Sequence, residues 1–192
     1  MLSTSNAEKV DIGERILDAA ASCVTAYGVE RVTLAEIARR AGVSRPTVYR
    51  RWTDTQEILA ALLTNRIVGV WRDVPARGRG REALVHRIVS VADRLRRDEL
   101  IMSVLRSNPE MAMVYITERL GTSQQVLIDA AAAEIEAGQR NGGVRAGNPR
   151  QLAAMVLLIT QSTIQSAAIV RPILDDDALA RELAHSLNGY LS

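Results

Sequence analysis

The sequence predicts an all-α fold, and three observations carry that prediction. Apolar residues recur at helical spacing rather than alternating, as in Ile16, Ala20, Val24 and Tyr27. Helix-start signals punctuate the chain: the capping boxes Thr33–Glu36 and Asp54–Glu57, and two copies of Asn followed by Pro at Asn108-Pro109 and Asn148-Pro149. Aromatic residues, which strands favour, make up only 3% of the chain, with no Phe, too few for a large β-sandwich core. Nine helices are expected, with no strand and no repeat of solenoid length.

The first helix is read from about Asp11, with Asp11, Glu14 and Asp18 crowding its start, and Gly28 stops it. Thr33 opens a short second helix, with Glu36 set to complete the box, and Gly42 ends it after Ala41. Ser44 caps a third, in whose first turn Pro46 is tolerated because no donor is needed there. Asp54 opens a fourth, through Ile58, Leu59, Leu62, Leu63 and Ile67 to about Trp71. After the Gly- and Arg-rich break Pro75–Arg81 come a helix from about Glu82 to Arg97 and a shorter one around Leu100 to Arg106. Asn108-Pro109 begins a long helix to about Gln139, closed by Asn141-Gly142-Gly143. Asn148-Pro149 begins another, through Met155 and Ile159 to about Ile169, and Asp175 to Asp177 start the last.

At 192 residues the chain fits one domain or two small ones, and 47% hydrophobic with 24% charged residues is a globular rather than a disordered composition. One cysteine, Cys23, excludes an intramolecular disulfide and any multi-cysteine metal site; we read it as a small buried residue. His86 and His185 have no neighbours at ligand spacing, so no metal and no cofactor are expected. No nucleophile with a base and no phosphate loop is found, so no catalytic residue is named. The N-terminal stretch MLSTSNAEKVDIGER lacks the apolar run of a secretory signal. No run of about 20 uncharged apolar residues is read, so no membrane span is expected and the expected compartment is the cytoplasm.

Net charge is only +2, but it is unevenly placed. Residues 31–51 carry six arginines against Glu36, and residues 72–97 carry eight against three acids; from Asp98 onward acids outnumber bases. A basic block near the N-terminus suits a polyanion, with the remainder of the chain meant for something else.

That block contains the compact unit TLAEIARRAGVSRPTVYRRW, residues 33–52. Two short helices around a Gly turn must cross each other and lean on the first helix. Leu34, Ile37, Ala38, Val43 and Val48 form their shared core, leaving Arg45, Thr47, Tyr49, Arg50 and Arg51 outward. A short helix with an exposed face of arginine, hydroxyl and phenol suits a DNA major groove. Read blandly, the same pattern is a helical hairpin with a solvated basic face.

The ordered set Ile16-Leu17-Asp18-Ala19-Ala20, Tyr27-Gly28, Val32-Thr33, Ile37-Ala38, Ala41-Gly42-Val43-Ser44, Thr47-Val48-Tyr49, Trp52 and Ile58-Leu59, spread over residues 11–63, resembles the N-terminal domain of the tetracycline-repressor (TetR/AcrR) family of bacterial transcription regulators. The resemblance implies a DNA-binding helix-turn-helix domain over 1–53 and an effector-binding and dimerisation domain over 54–192. It makes Ser44 to about Arg51 the recognition helix, with Thr33 capping the preceding helix where it meets the DNA backbone. Arg45 matches a position commonly used for base contact; Thr47 and Tyr49 match positions that touch phosphates or thymine methyls. Family members often carry a lysine at the start of the fourth helix, reaching a phosphate, where this chain has Thr55. Backbone amides at a helix start can still bind an anion there. Trp52 fills the family's aromatic position and is read as packing.

The rest of the chain has no motif of equal strength. Candidate effector-pocket residues are Trp71, Met102, Met111, Met113, Tyr115, Gln124, Gln161 and Gln165, since methionine adapts to irregular shapes and buried glutamines need partners. Core filler and solvent-facing glutamines are the bland alternative, and for Trp71 both pocket wall and packing stand open. Two stripes, Leu152, Met155, Val156, Ile159, Thr163 and Ser166, then Leu179, Leu183, Leu187 and Tyr190, are candidate dimer surfaces for a four-helix bundle across a two-fold axis. The Arg77–Arg81 loop is read as solvated.

The function expected is that of a ligand-responsive regulator, usually a repressor, which binds a palindromic operator as a homodimer and is released by a small-molecule effector. The alternative is an α-helical small-molecule carrier or enzyme whose N-terminal hairpin is merely structural.

Overall fold

Gly28 and Gly42, both at positive φ (78° and 63°), cut the N-terminal stretch into separate helices. The computed structural model describes residues 4–107 and 120–192, with side chains from residue 12 onward. Helix α1 (Thr4–Tyr27) ends where the Gly28 N–H donates to the Val24 carbonyl at 2.9 Å. It begins earlier than Asp11, so Asp11, Glu14 and Asp18 lie within the helix and not at its positive end; no breaker stands between Thr4 and Asp11 to stop it. A single 3-10 turn, Val29–Arg31, leads to α2 (Leu34–Ala41), α3 (Arg45–Tyr49) and α4 (Thr55–Asp73).

Two compact units divide the chain. The first gathers α1, α2, α3, the part of α4 up to Arg66, and α6 (Glu99–Ser107). Ile16, Ile37, Val48, Ile58, Leu59 and Val104 are almost fully buried there. Each contributes about 1.5–3 kcal/mol relative to exposure, which lets helices as short as α2 and α3 persist. Cys23 is fully buried among them, as expected, and burial pushes its thiol above the usual range.

The second unit holds the rest of α4, α5 (Gly80–Arg97), α7 (Thr122–Arg140), α8 (Pro149–Val170) and α9 (Asp176–Leu191). Its core is built from Leu84, Val85, Ile88, Ile135, Leu152 and Leu187, with α8 packed against α5, α7 and α9. The caps match their sequence signals: Asn148 Oδ1 accepts from Arg150 N and Gln151 N, and Asp175 Oδ1 from Ala178 N at 2.7 Å.

Nine α-helices and no strand occur among the described residues, the all-α architecture expected. Two further expectations need correction. The helix foreseen from Asn108 to Gln139 is not continuous, because Leu120 and Gly121 are non-helical and α7 begins at Thr122. Gly121 caps it, donating its N–H to Gln124 Oε1 at 2.7 Å, so Gly-Thr-Ser-Gln is itself a helix start. Asn108-Pro109 lies outside the described residues. The exclusion of a membrane span on length also fails: from Gln151 to Val170 α8 carries no charge, and its 22 residues reach a mean hydropathy of 1.6 over the most apolar window.

Candidate nucleic-acid interface

The turn between α2 and α3 is held by backbone bonds that only a left-handed residue allows. Gly42 donates to Arg39 O at 3.3 Å and Val43 to Ala38 O at 3.0 Å, which satisfies carbonyls at the end of α2. Arg15 of α1 takes the next one, donating from Nη2 to Ala41 O at 2.8 Å. At the front of α2, Thr33 Oγ1 accepts from Glu36 N at 3.2 Å. The other half of the expected box is absent: the Glu36 carboxylate turns instead to Arg39, at 2.8 and 2.6 Å. That guanidinium holds the Glu36 carboxyl below its usual range and is itself raised in return.

Ser44 caps α3, accepting from Thr47 N at 3.3 Å and sharing a hydroxyl–hydroxyl bond with Thr47 at 2.8 Å. Val48 is fully buried and anchors the helix. Arg45, Tyr49 and Arg50 are exposed, Tyr49 by 52%, and Thr47 is half-buried. These four share the short helix and its end, as the spacing foresaw. Arg51 departs from them. The helix ends at Tyr49, and the Arg51 Nη1 lies 2.9 Å from where a Cβ on Gly13 of α1 would stand.

Thr55 is the first residue of α4 and half-buried. Beside it, Asp54 Oδ1 accepts from Glu57 N, while Glu57 Oε2 reaches back to Thr53 N, both at 2.7 Å. The hairpin therefore presents arginines, a phenol and hydroxyls on one short, well-anchored helix. That set can donate to base edges and phosphates and has no acidic residue between Ser44 and Arg51. Sequence reasoning missed Arg15, whose partner carbonyl lies 26 residues away, and the contact of Arg40 with Tyr27, Nη2 to Oη at 3.1 Å. Neither pairing has a local signal.

The candidate pocket residues do not converge. Gln124 and Gln161 meet, Nε2 donating to Oε1 at 2.8 Å between α7 and α8, whereas Gln165 is exposed. Trp71 is buried in the core of the second unit, its ring under Arg87 at 4.2 Å and its carbonyl accepting from Arg87 Nη2 at 2.8 Å. Glu134 completes that contact. Met102 is half-buried on α6, in the first unit. Met111, Met113 and Tyr115 lie outside the described residues.

A shallow cleft, open to solvent, lies between α5, α8 and α9. None of the candidate pocket residues lines it, but Thr163, Leu179 and Leu183, named for the dimer surface, do. Of the remaining dimer candidates, Met155 is 42% exposed, and Ile159 and Tyr190 are half-buried. Leu183 and Leu187, at 5% and 0% exposure, are corrected to core residues of this chain's own second unit, because α9 turns them onto α5 and α8. Apolar side chains left exposed include Met155, Leu158 and Ile169 on α8 and Ile173 beyond it, as well as Leu120 and Val126. His86 and His185 are exposed, and among the described residues no group of three or more His, Cys, Asp or Glu could hold a metal ion.

Comparison with known proteins bears on this geometry. Residues 16–62 match the model of "Bacterial regulatory proteins, tetR family". Over 191 residues, covering both chains completely, the sequence is 68% identical to the HTH-type transcriptional regulator Mb2274c of Mycobacterium bovis. Among solved structures, the TetR-family transcriptional repressor QsdR of R. erythropolis superposes with a TM-score of 0.71 at 19% identity, over 94% of this chain and 96% of that one. FadR of Thermus thermophilus, solved with lauroyl-CoA, gives 0.65 at 20% identity, over 91% and 92%.

Proposed function

The chain belongs to the tetR family of bacterial regulatory proteins, and on that premise we propose that it is a repressor which binds a palindromic operator as a homodimer and leaves it when a small molecule binds. It is a DNA-binding transcriptional regulator, not an enzyme, so the carrier or enzyme alternative falls. One observation carries the mechanism: α3 is pinned through Val48 and leaves Arg45, Tyr49 and Arg50 exposed. In this reading Arg45 takes a base edge, and Thr33, Ser44, Thr47, Tyr49, Arg50, Arg51 and the start of α4 at Thr55 meet backbone or neighbouring bases.

Residues 1–53 then do the DNA binding and residues 54–192 the effector binding and pairing, a division by task rather than by packing. The homodimer forms on the uncovered face of α8, where Met155, Leu158, Ser162, Gln165 and Ile169 recur at intervals of three and four residues, as a bundle seam requires. Gln124 and Gln161, bonded to each other between α7 and α8, are the polar pair assigned to an effector; two solved structures of this fold hold lauroyl-CoA and resorcinol. The effector acts by binding more tightly to a dimer whose two α3 helices no longer match grooves about 34 Å apart. Such a regulator works in the cytoplasm.

A gel shift with the DNA upstream of the chain's own coding sequence tests this. Retardation at lower protein concentration than for scrambled DNA is expected; equal retardation of both would overturn operator binding.

A further inference from the structure

We propose that Arg15 and Gly13 of α1 are positioning residues that fix the attitude of α3, which rests on the reading of α3 as the recognition helix. A five-residue helix with one buried side chain, Val48, is fixed in position by that anchor but needs further contacts to fix its tilt. Base readout needs side chains placed to about half an ångström, so α3 requires restraint at both ends. The structure supplies two restraints, and both come from α1.

At the front end, Arg15 Nη2 donates at 2.8 Å to Ala41 O, the last carbonyl of α2. A charge-assisted bond is stronger than a neutral one, and it lands on the turn that aims α3. The same guanidinium stands 3.6 Å from the place of a Cβ at Gly42. At the rear end, Arg51 follows α3 by two residues and lays its guanidinium against Gly13. Gly13 has no positive φ, so its backbone does not require glycine. Inside a helix glycine is less favourable than alanine by about 1 kcal/mol. A Cβ at position 13 would stand 2.9 Å from Arg51 Nη1, so that guanidinium must shift to admit a side chain there.

Arg15 thus acts on DNA through a backbone carbonyl, and Gly13 through Arg51. The test uses the full-length chain with Arg15→Gln, Arg15→Lys and Gly13→Ala, and measures affinity for the upstream operator and for scrambled DNA of equal length. Arg15→Gln should lower the operator-to-scrambled ratio about tenfold, the loss of part of one base contact. Arg15→Lys keeps a charged donor and should restore most of the ratio. Gly13→Ala should lower it several-fold while the melting temperature holds or rises, so a fold defect cannot produce the result. Equal weakening on both DNAs would make Arg15 a phosphate contact and overturn the positioning role, as would unchanged ratios in Arg15→Gln and Gly13→Ala. If the wild-type chain itself shows no preference for operator, the recognition-helix reading fails first and this one with it.

Discussion

Arg96 on α5 and Asp176 at the start of α9 are 80 residues apart in sequence and 2.8 Å apart in space. Arg96 also donates to Asp93 at 2.8 Å, and Arg97 bonds Asp93 at 2.9 Å, so two carboxylates and two guanidinia join the helices. The Arg96 hydrogen bond holds the Asp176 carboxyl below its ordinary value of 3.8. A depressed carboxylate stabilises the fold above its unfolded value and loses that contribution as pH falls through its folded one. Asp176→Asn should therefore lower the melting temperature at neutral pH, and the gap to wild type should close as pH drops below 3.8. A gap that stays constant in acid would place the effect elsewhere.

The burial of α9 separates folding from pairing. Leu187 is fully buried, and Leu187→Ala should cost about 2–5 kcal/mol in denaturant unfolding. Leu183→Arg should unfold the second unit rather than yield clean monomers. By contrast Leu158, 58% exposed on α8, can take Leu158→Arg with the helix content intact, and sedimentation should then show monomers.

Variants at Arg45 and Thr55 test specificity apart from attraction. Arg45→Ala should weaken operator binding by about 1–3 kcal/mol and scrambled DNA by much less. Thr55→Lys should tighten both DNAs by similar factors and steepen the dependence of log affinity on log salt by about 0.9. Should Arg45→Ala weaken every sequence alike, base readout belongs to Thr47, Tyr49 or Arg50.

Gly138 lies inside α7, where an added Cβ would stand 2.6 Å from Val144 Cγ2. Val144 is buried, so it cannot swing into solvent. Gly138→Ala should cost about 1–3 kcal/mol through overpacking, although alanine favours helix. Adding Val144→Ala should recover part of that loss in a thermal melt, and a double variant less stable than the sum of the two would contradict the contact.

The helix boundaries were legible because their signals are local. Thr33, Ser44, Asn148 and Asp175 each satisfy an amide two or three residues away, and the sequence shows both partners at once. The exposed face of α3 was legible for the same reason: Val48 inward and Arg45, Tyr49 outward follow from helical period. The start of α1 and the break at Gly121 were local and still misread; the other failures were decided over distance. Periodicity cannot say whether Leu183 and Leu187 meet their own chain or another, because both give one apolar stripe. Nor could it send Arg51 to Gly13 or Trp71 under Arg87, since each choice is a competition among partners brought close by the fold.

The bond between Gln124 and Gln161 joins α7 to α8 through two amides that do not titrate. The seam between α5 and α9, in contrast, adds ionised groups to its apolar core. Acid or concentrated salt thus loosens one joint of the second unit and spares the other. In amide exchange at low pH, the first turn of α9 should lose protection while the first turn of α7 keeps it, so that chemical conditions alone resolve this bundle into parts that heat melts together.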